Sequence, residues 1–335
     1  MTERYQYNCV DKSILLPLYK KYYVSFYFKL VPAWLTANFI TIISTGFVAT
    51  MMGISLWSGN TESPVQALLF AFCLHTYLLG DHLDGMQAKA SGTSSPLGEF
   101  LDHYLDVYNG AIVFYTIMVF LGPFSKKVFL VLLVLNCIAF AATMVEELEC
   151  RELTFGYLGT LEGVLLTIAF YISWSIPAAR NWWQHDIFPG YPAYWIAITA
   201  MGVSYLGTAI DVFWRIGRLP KPFAVFLVCS AVLGGLLGFL PVSITFCWMI
   251  LTLFSGDYIA RVMRAYFLSN PHPYPDLLSS GSLFLVWVAI YNGVLTEPLY
   301  RLYFGILIVW LLIRVLYTFI GTLYTFRAHW YWTNP

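Results

Sequence analysis

Four aspartates in one short stretch of the chain have the clearest potential for chemistry. Asp81 and Asp84 are three residues apart, so they share one face of a helix. Asp102 and Asp106 are four residues apart and do the same. Carboxylates in apolar surroundings are costly unless a positive charge compensates them, and only Lys89 lies between the two pairs. We therefore expect metal cations to supply the missing charge.

An all-oxygen cluster of this kind favours a hard cation. Mg²⁺ and Mn²⁺ prefer carboxylate ligands, and the stretch lacks the His and Cys pairing that zinc prefers. Two such ions about 4 Å apart are able to clamp a pyrophosphate and stabilise its attacking and leaving oxygens. We predict two divalent cations, Mg²⁺ or Mn²⁺, held by Asp81, Asp84, Asp102 and Asp106.

Small residues accompany the aspartates. Gly85 and Ala88 follow the first pair, and Gly98 precedes the second. Each removes side-chain bulk near the carboxylates, which predicts that a nucleotide approaches the backbone closely. Lys89 is expected beside the phosphates as a point charge. Residues 91–96 are polar and predict a turn that ends one helix before the next begins.

The spacing of these residues resembles the signature of the class I CDP-alcohol phosphatidyltransferase family. The pattern D-x2-D-G-x2-A-(K/R)-x8-G-x3-D-x3-D is intact over residues 81–106. The family usually has Arg at position 89; Lys89 keeps the charge but loses the bidentate fork. Four further segments resemble the choline and ethanolamine phosphotransferases in particular: residues 34–38, 94–99, 102–103 and 159–163.

The resemblance implies both an activity and a set of roles. The activity is metal-dependent transfer of phosphocholine or phosphoethanolamine from CDP-choline or CDP-ethanolamine to diacylglycerol or a related neutral lipid. CMP is released, and the product belongs to phospholipid biosynthesis. The four aspartates would hold the two cations, and the CDP moiety would be cradled by Asp84, Gly85, Ala88, Lys89 and Gly98.

The sequence leaves two alternative roles open for several polar residues. His103 and Asp106 compete as the base, because a neutral imidazole suits this role and a metal-bound carboxylate is a poorer base; a supporting role for His103 stays open. Asn38 is expected to hydrogen-bond the cytosine or to cap the first span. Glu162 needs a polar partner, which is either substrate or another helix. Two i,i+4 pairs predict structural salt bridges, namely Asp211 with Arg215 and Asp257 with Arg261.

The elements that must position these residues follow from composition. Hydrophobic residues make up 59% of the 335 residues and charged residues 11%, against about 25% charged in a soluble domain. We predict an all-α polytopic integral membrane protein and a single domain, 1–335. About ten spans are expected, near 35–57, 65–80, 100–121, 127–145, 158–176, 193–214, 222–240, 242–263, 278–295 and 299–323. Residues 13–31 mix lysines with Leu, Tyr and Phe, which favours an amphipathic interfacial helix over a soluble turn.

Basic residues predict the orientation. With ten spans, thirteen Lys and Arg residues fall on the side of the termini and four on the other. The positive-inside rule then places the termini and residues 81–106 in the cytosol. The expected membrane is the endoplasmic reticulum or Golgi in a eukaryote and the inner membrane in a bacterium. Membrane lipid and a possible second copy in a homodimer are the other expected partners, and zero net charge argues against nucleic acid.

Two other functions compete with this interpretation. In the first, CDP-diacylglycerol is the donor and a small alcohol such as inositol or serine attacks; the signature alone does not distinguish this reaction. In the second, the chain is an ion-coupled transporter with intramembrane carboxylates as a relay. A transporter predicts charged residues spread over several spans, whereas here they are concentrated in residues 81–106.

Overall fold

The computed structural model describes Tyr5 and residues 8–58, 63–122, 124–157 and 159–327, most of which are helical. In chain order the elements are β1 (Cys9–Asp11), α1 (Leu16–Leu18), a π-helical turn (Tyr19–Val24), α2 (Ser25–Phe28), α3 (Ala37–Ser58), α4 (Pro64–Ser91), α5 (Pro96–Phe120), α6 (Lys126–Cys150), β2 (Leu153–Phe155), α7 (Thr160–Ser175), α8 (Pro177–Gln184), β3 (Asp186–Phe188), β4 (Tyr191–Pro192), α9 (Tyr194–Ile216), α10 (Lys221–Phe239), α11 (Ile244–Leu268), α12 (Leu277–Tyr291) and α13 (Glu297–Thr325). The strands form two short sheets, β1 with β2 and β3 with β4.

The packing divides the chain into two compact units. The first comprises residues 1–123, 154–203 and 326–335, and it contains α1–α5, α7, α8 and the beginning of α9. The second comprises residues 124–153 and 204–325, with α6, the rest of α9 and α10–α13. Two compact packing units are compatible with one domain or with two. The single domain over residues 1–335 therefore stays a prediction.

The helices confirm an all-α polytopic membrane protein. Each of the ten predicted stretches coincides with a helix, but six helices among the described residues are long and apolar enough to cross a membrane: α3, α6, α9, α10, α11 and α13. A seventh span is possible if α7 and α8, which meet at 107°, form one. Polar residues, the aspartates among them, lower the hydropathy of α4 and α5. The count of ten therefore stays a prediction.

The N-terminal segment is helical from Leu16 to Phe28, with the π-helical turn at its centre, and so is shorter than the predicted 13–31. Val24 packs in an apolar cluster with Ile40 of α3 and Leu83 of α4. The Tyr23 hydroxyl lies 2.6 Å from His75 Nε2 on α4. Partial burial and the neighbouring Tyr27 raise the pKa of Tyr23 to about 12, so this phenol keeps its proton at neutral pH. The segment is thereby attached to α4; its position at a membrane interface stays a prediction.

Glu162, on the first turn of α7, finds its polar partners within the protein. Its Oε1 accepts hydrogen bonds from the Ser13 hydroxyl at 2.5 Å and from the Leu15 N–H at 3.0 Å. Its Oε2 accepts from the Gly159 N–H at 2.9 Å. Of the two partners considered for Glu162, the structure favours a protein segment, and this buried carboxylate fixes the start of the N-terminal helix.

Candidate active site

The turn between α4 and α5 brings the two pairs of aspartates together. Gly92 ends α4 with a φ of +68°, which glycine adopts readily, and the Thr93 N–H donates to the Ala88 carbonyl at 2.9 Å. Ser95 then caps α5, its Oγ accepting from the Gly98 N–H at 3.1 Å, and Pro96 occupies the first turn. The predicted turn is confirmed, and both helices present a carboxylate pair.

Three of the four predicted metal ligands converge. Asp81, Asp102 and Asp106 are half-buried and offer oxygens that all lie within 4.8 Å of one another. Asp102 Oδ1 is buried and has no hydrogen-bond partner among the described residues. Within that part of the chain no Lys or Arg forms an ion pair with any of the three. An unpartnered buried carboxylate oxygen beside two further carboxylates fits a divalent cation, which requires several oxygen ligands.

Asp84 is more buried than the other three, at 4% exposure, and does not belong to that group of oxygens. Its Oδ2 accepts a hydrogen bond from the Thr41 hydroxyl of α3 at 2.6 Å. The structure therefore brings Asp84 into the same α4–α5 region with a protein donor on one oxygen. Its role as a metal ligand stays a prediction.

Asp106 is held by two neutral donors. The Tyr77 hydroxyl of α4 donates to its Oδ1 at 2.6 Å, and Asn109 Nδ2 donates to the same oxygen at 3.3 Å. Asn109 also donates to Thr45 Oγ1 at 3.1 Å. Sequence reasoning missed these residues, although Tyr77 is four residues before Asp81 on one face of α4. Nothing local in the sequence indicates that Thr41 reaches Asp84 or that Thr45 reaches Asn109.

The small residues leave space on the same helices. A Cβ added at Gly85 would meet no atom within 4 Å, and neither packing nor a left-handed backbone requires glycine there. Ala88 is half-buried, and Lys89 is exposed on the last turn of α4. Open space at Gly85 is what close approach of a ligand to the α4 backbone requires.

Asn38 lies beside Gly98. A Cβ at Gly98 would lie 3.4 Å from Asn38 Oδ1, and the Asn38 side chain is buried on the first turn of α3. The Thr36 carbonyl accepts the hydrogen bonds of the Phe39 and Ile40 N–H groups, so the cap position belongs to Thr36. The capping alternative for Asn38 is therefore wrong; a contact between Asn38 and the nucleotide base stays a prediction.

His103 lies on α5 between the two aspartates of the second pair and is half-buried. One turn earlier, Glu99 is buried, and one of its oxygens lies within 4.8 Å of a ring nitrogen of His103. The Tyr5 hydroxyl donates to Glu99 Oε2 at 2.6 Å. The i,i+4 spacing of Glu99 and His103 was the available sequence signal for this pairing, and sequence reasoning missed it.

Comparison with known families agrees with this arrangement. The sequence profile described as CDP-alcohol phosphatidyltransferase matches residues 34–210, just over half of the chain. The chain belongs to the CDP-alcohol phosphatidyltransferase family. The matched range contains α3–α5, and thus every residue predicted for this family's cation and donor sites.

Individual relatives share 25–34% identity with the matched parts of this chain. It is 30% identical over 188 residues to an uncharacterised class-I CDP-alcohol phosphatidyltransferase family protein of Schizosaccharomyces pombe, covering 53% of this chain and 48% of the relative. It is 25% identical over 205 residues to cholinephosphotransferase 1 of Saccharomyces cerevisiae, covering 55% and 50%. It is 34% identical over 108 residues to choline/ethanolaminephosphotransferase 1 of Arabidopsis thaliana, covering 31% and 28%. The chain spans about half or less of the length of these curated relatives.

Proposed function

We propose that this family member transfers phosphocholine or phosphoethanolamine from a CDP-alcohol to the hydroxyl of diacylglycerol or a related neutral lipid, with release of CMP. The observation that carries the proposal is the convergence of Asp81, Asp102 and Asp106 without a Lys or Arg partner in the described part of the chain. The names of the relatives from S. cerevisiae and A. thaliana support the choice of head group.

The converging carboxylates, together with Asp84, would hold two divalent cations, Mg²⁺ or Mn²⁺. When bound, these ions supply the positive charge that stabilises pyrophosphate oxygens as CMP leaves. The protein's own contribution is to hold its carboxylates in place before the donor arrives. Two of these carboxylates already accept hydrogen bonds from protein hydroxyls, Asp106 from Tyr77 and Asp84 from Thr41.

The donor is held along the end of α4 and the start of α5. Gly85, Ala88 and Gly98 would let the CDP moiety approach the backbone closely, and Asn38, which lies beside Gly98, would hydrogen-bond the cytosine. Lys89, exposed on the last turn of α4, contacts phosphate as a point charge. The donor is water-soluble, so it enters from the cytosol, the side on which basic residues predict the termini and this site.

The acceptor oxygen attacks the β-phosphorus directly. His103 or Asp106 takes its proton, a new P–O bond forms to the lipid oxygen, and the bond to CMP breaks with its electrons remaining on CMP. Neither residues 81–90 nor residues 98–109 contain Ser or Cys, so a covalent enzyme intermediate is not required. The lipid acceptor reaches the site sideways between helices.

A product assay tests the reaction and separates it from its reverse arrangement. Purified protein receives CDP-choline, CDP-ethanolamine or CDP-diacylglycerol, each with diacylglycerol, inositol and serine, and the lipid products are separated by thin-layer chromatography. We expect a phospholipid product from CDP-choline or CDP-ethanolamine with diacylglycerol. A product only from CDP-diacylglycerol with inositol or serine would contradict the proposal and establish the other donor. An Asp102→Asn variant serves as the control for contaminating activity.

A further inference from the structure

The carboxylates of the candidate site differ in what their oxygens contact. Asp102 Oδ1 has no hydrogen-bond partner among the described residues. Asp106 and Asp84, in contrast, each have one oxygen 2.6 Å from a hydroxyl, that of Tyr77 and that of Thr41. Neither hydroxyl belongs to the 81–106 signature. Each hydroxyl comes from a different helix than its carboxylate: Tyr77 of α4 contacts Asp106 of α5, and Thr41 of α3 contacts Asp84 of α4.

The close packing of α3 on α4 explains how Thr41 reaches its partner. A Cβ at Gly80 would lie 2.5 Å from the Ser44 Cβ, so only glycine permits this contact. Thr41 lies one turn before Ser44 on α3, and Asp84 lies one turn after Gly80 on the antiparallel α4. The contact at Gly80 therefore places the Thr41 hydroxyl opposite the Asp84 carboxylate, 43 residues away in sequence.

Two acceptors lie within hydrogen-bonding distance of the Thr41 hydroxyl. Its Oγ1 lies 3.2 Å from the Ala37 carbonyl and 2.6 Å from Asp84 Oδ2. A hydroxyl has one proton to donate, and the shorter contact is the one to a carboxylate, which forms the stronger hydrogen bond. Thr41 thus orients the carboxylate instead of only satisfying its own helix. Tyr77 has the same function toward Asp106, supported by Asn109.

We propose that Tyr77 and Thr41 are positioning residues for the cation-binding carboxylates. Each hydroxyl occupies one carboxylate oxygen and so fixes the rotamer in which the carboxylate meets the ion. The proposal rests on the metal-dependent function proposed above. Partners that hydrogen-bond ligand carboxylates typically contribute about 10- to 100-fold in metal affinity.

Binding of Mn²⁺ to the purified full chain, without donor or acceptor, tests the proposal. Free Mn²⁺ is followed by its electron paramagnetic resonance signal. Tyr77→Phe removes one hydroxyl from an otherwise unchanged ring, and we expect the Mn²⁺ Kd to rise about 10-fold or more. Thr41→Val should raise the Kd similarly, whereas Thr41→Ser keeps the hydroxyl and should restore most of the affinity. Transfer activity of Tyr77→Phe should require more Mn²⁺ but recover substantially at saturation.

Tyr303→Phe is the matched control. It removes a hydroxyl that lies 2.9 Å from Ser282 Oγ in the second unit, and it should bind Mn²⁺ as the wild type does. Wild-type Mn²⁺ affinity in both Tyr77→Phe and Thr41→Val would overturn the positioning role and leave the proposed function intact. Failure of the wild-type chain to bind Mn²⁺ would overturn the metal-dependent function, and the positioning role with it.

Discussion

Each of the two units places carboxylates on apolar helices, but the units compensate these charges differently. In the second unit Glu146 is bound by the Arg215 guanidinium, and Asp257 by Arg261 at 2.7 Å and by Arg314 at 3.0 Å. In the first unit the three converging aspartates have no such partner among the described residues.

The difference indicates which carboxylates stabilise the fold and which are available for a ligand. A buried carboxylate that is already paired with arginine, such as Asp257 with Arg261, has its charge neutralised by the protein. The ion pair predicted between Asp211 and Arg215 also forms, but there the carboxylate is exposed. Carboxylates that lie this close together without a Lys or Arg partner repel one another, so a bound cation would stabilise their arrangement. The first unit therefore carries the candidate site.

Removal of metal should have the largest effect. In excess chelator we expect transfer activity to disappear, because no Lys or Arg among the described residues forms an ion pair with the converging aspartates and could take the place of the ions. Activity should return when Mg²⁺ or Mn²⁺ is added in excess of the chelator. Full activity in chelator would show that the converging aspartates do not act through metal.

The second-largest effect is expected at a histidine, and the two units each provide one for comparison. His103 lies beside the converging aspartates, whereas His272 lies between Glu149 at 2.8 Å and the Tyr258 hydroxyl at 2.8 Å. Burial lowers the pKa of His272, although its hydrogen bond to the Glu149 carboxylate opposes this shift. Because both ring nitrogens contact protein groups, we expect a structural role for His272. If His103 is the base, His103→Ala should lower kcat by about 10²- to 10⁴-fold with donor and metal affinity nearly intact.

The matched variant His272→Ala should keep its kcat in the fraction of protein that remains folded. An unchanged kcat in His103→Ala would assign the proton transfer to Asp106. Loss of donor binding in that variant would give His103 a supporting role instead.

Replacement of a single aspartate of the cluster should have the third-largest effect on activity. Asp81→Asn and Asp102→Asn each remove one charged ligand, and we expect each to lower the transfer rate at least about 10²-fold. Asp211→Asn is the control from the second unit, because Asp211 is 59% exposed and its pair with Arg215 is not part of the cluster. Steady-state rates at fixed Mg²⁺ provide the measurement. Near-normal turnover in Asp81→Asn or Asp102→Asn would remove that residue from the metal site.

Loss of Asp257 should affect stability instead of chemistry. Asp257→Asn leaves Arg261 and Arg314 without the carboxylate that both contact, and breaking a buried pair costs about 3–5 kcal/mol. We expect a lower thermal unfolding temperature for the purified protein, while folded protein binds Mn²⁺ normally. A loss of Mn²⁺ affinity without a loss of stability would mean that the second unit contributes to the site.

The sequence predicted spacing within helices well and contacts between helices poorly. Apolar runs located the helices, and the polar residues 91–96 correctly predicted a turn between α4 and α5, which the structure has at residues 92–95, because capping and periodicity are local properties. Thr41 with Asp84, and Ser13 with Glu162, are 43 and 149 residues apart. Such pairs depend on which helices pack together, and one sequence does not contain that information. The π-helical turn at Tyr19–Val24 likewise has no signal in the periodicity.

Replacement of Lys89 should have the smallest effect on activity. It tests whether the one basic residue inside the signature interacts with the aspartates or with the substrate. It is exposed on the last turn of α4 and forms no ion pair with them in the part of the chain that the structure describes. If it contacts the donor phosphates, Lys89→Ala should raise the KM for the CDP-alcohol several-fold, about 1 kcal/mol for an exposed charge, with little change in kcat. Lys89→Arg should retain the wild-type KM, because arginine is the residue that the family usually has and it keeps the charge. Lys221→Ala, which removes a basic residue from the start of α10 in the second unit, is the control and should leave the KM unchanged. An unchanged KM in Lys89→Ala would place Lys89 in the solvated loop, whereas a weaker Mn²⁺ affinity would show that it acts on the aspartates after all.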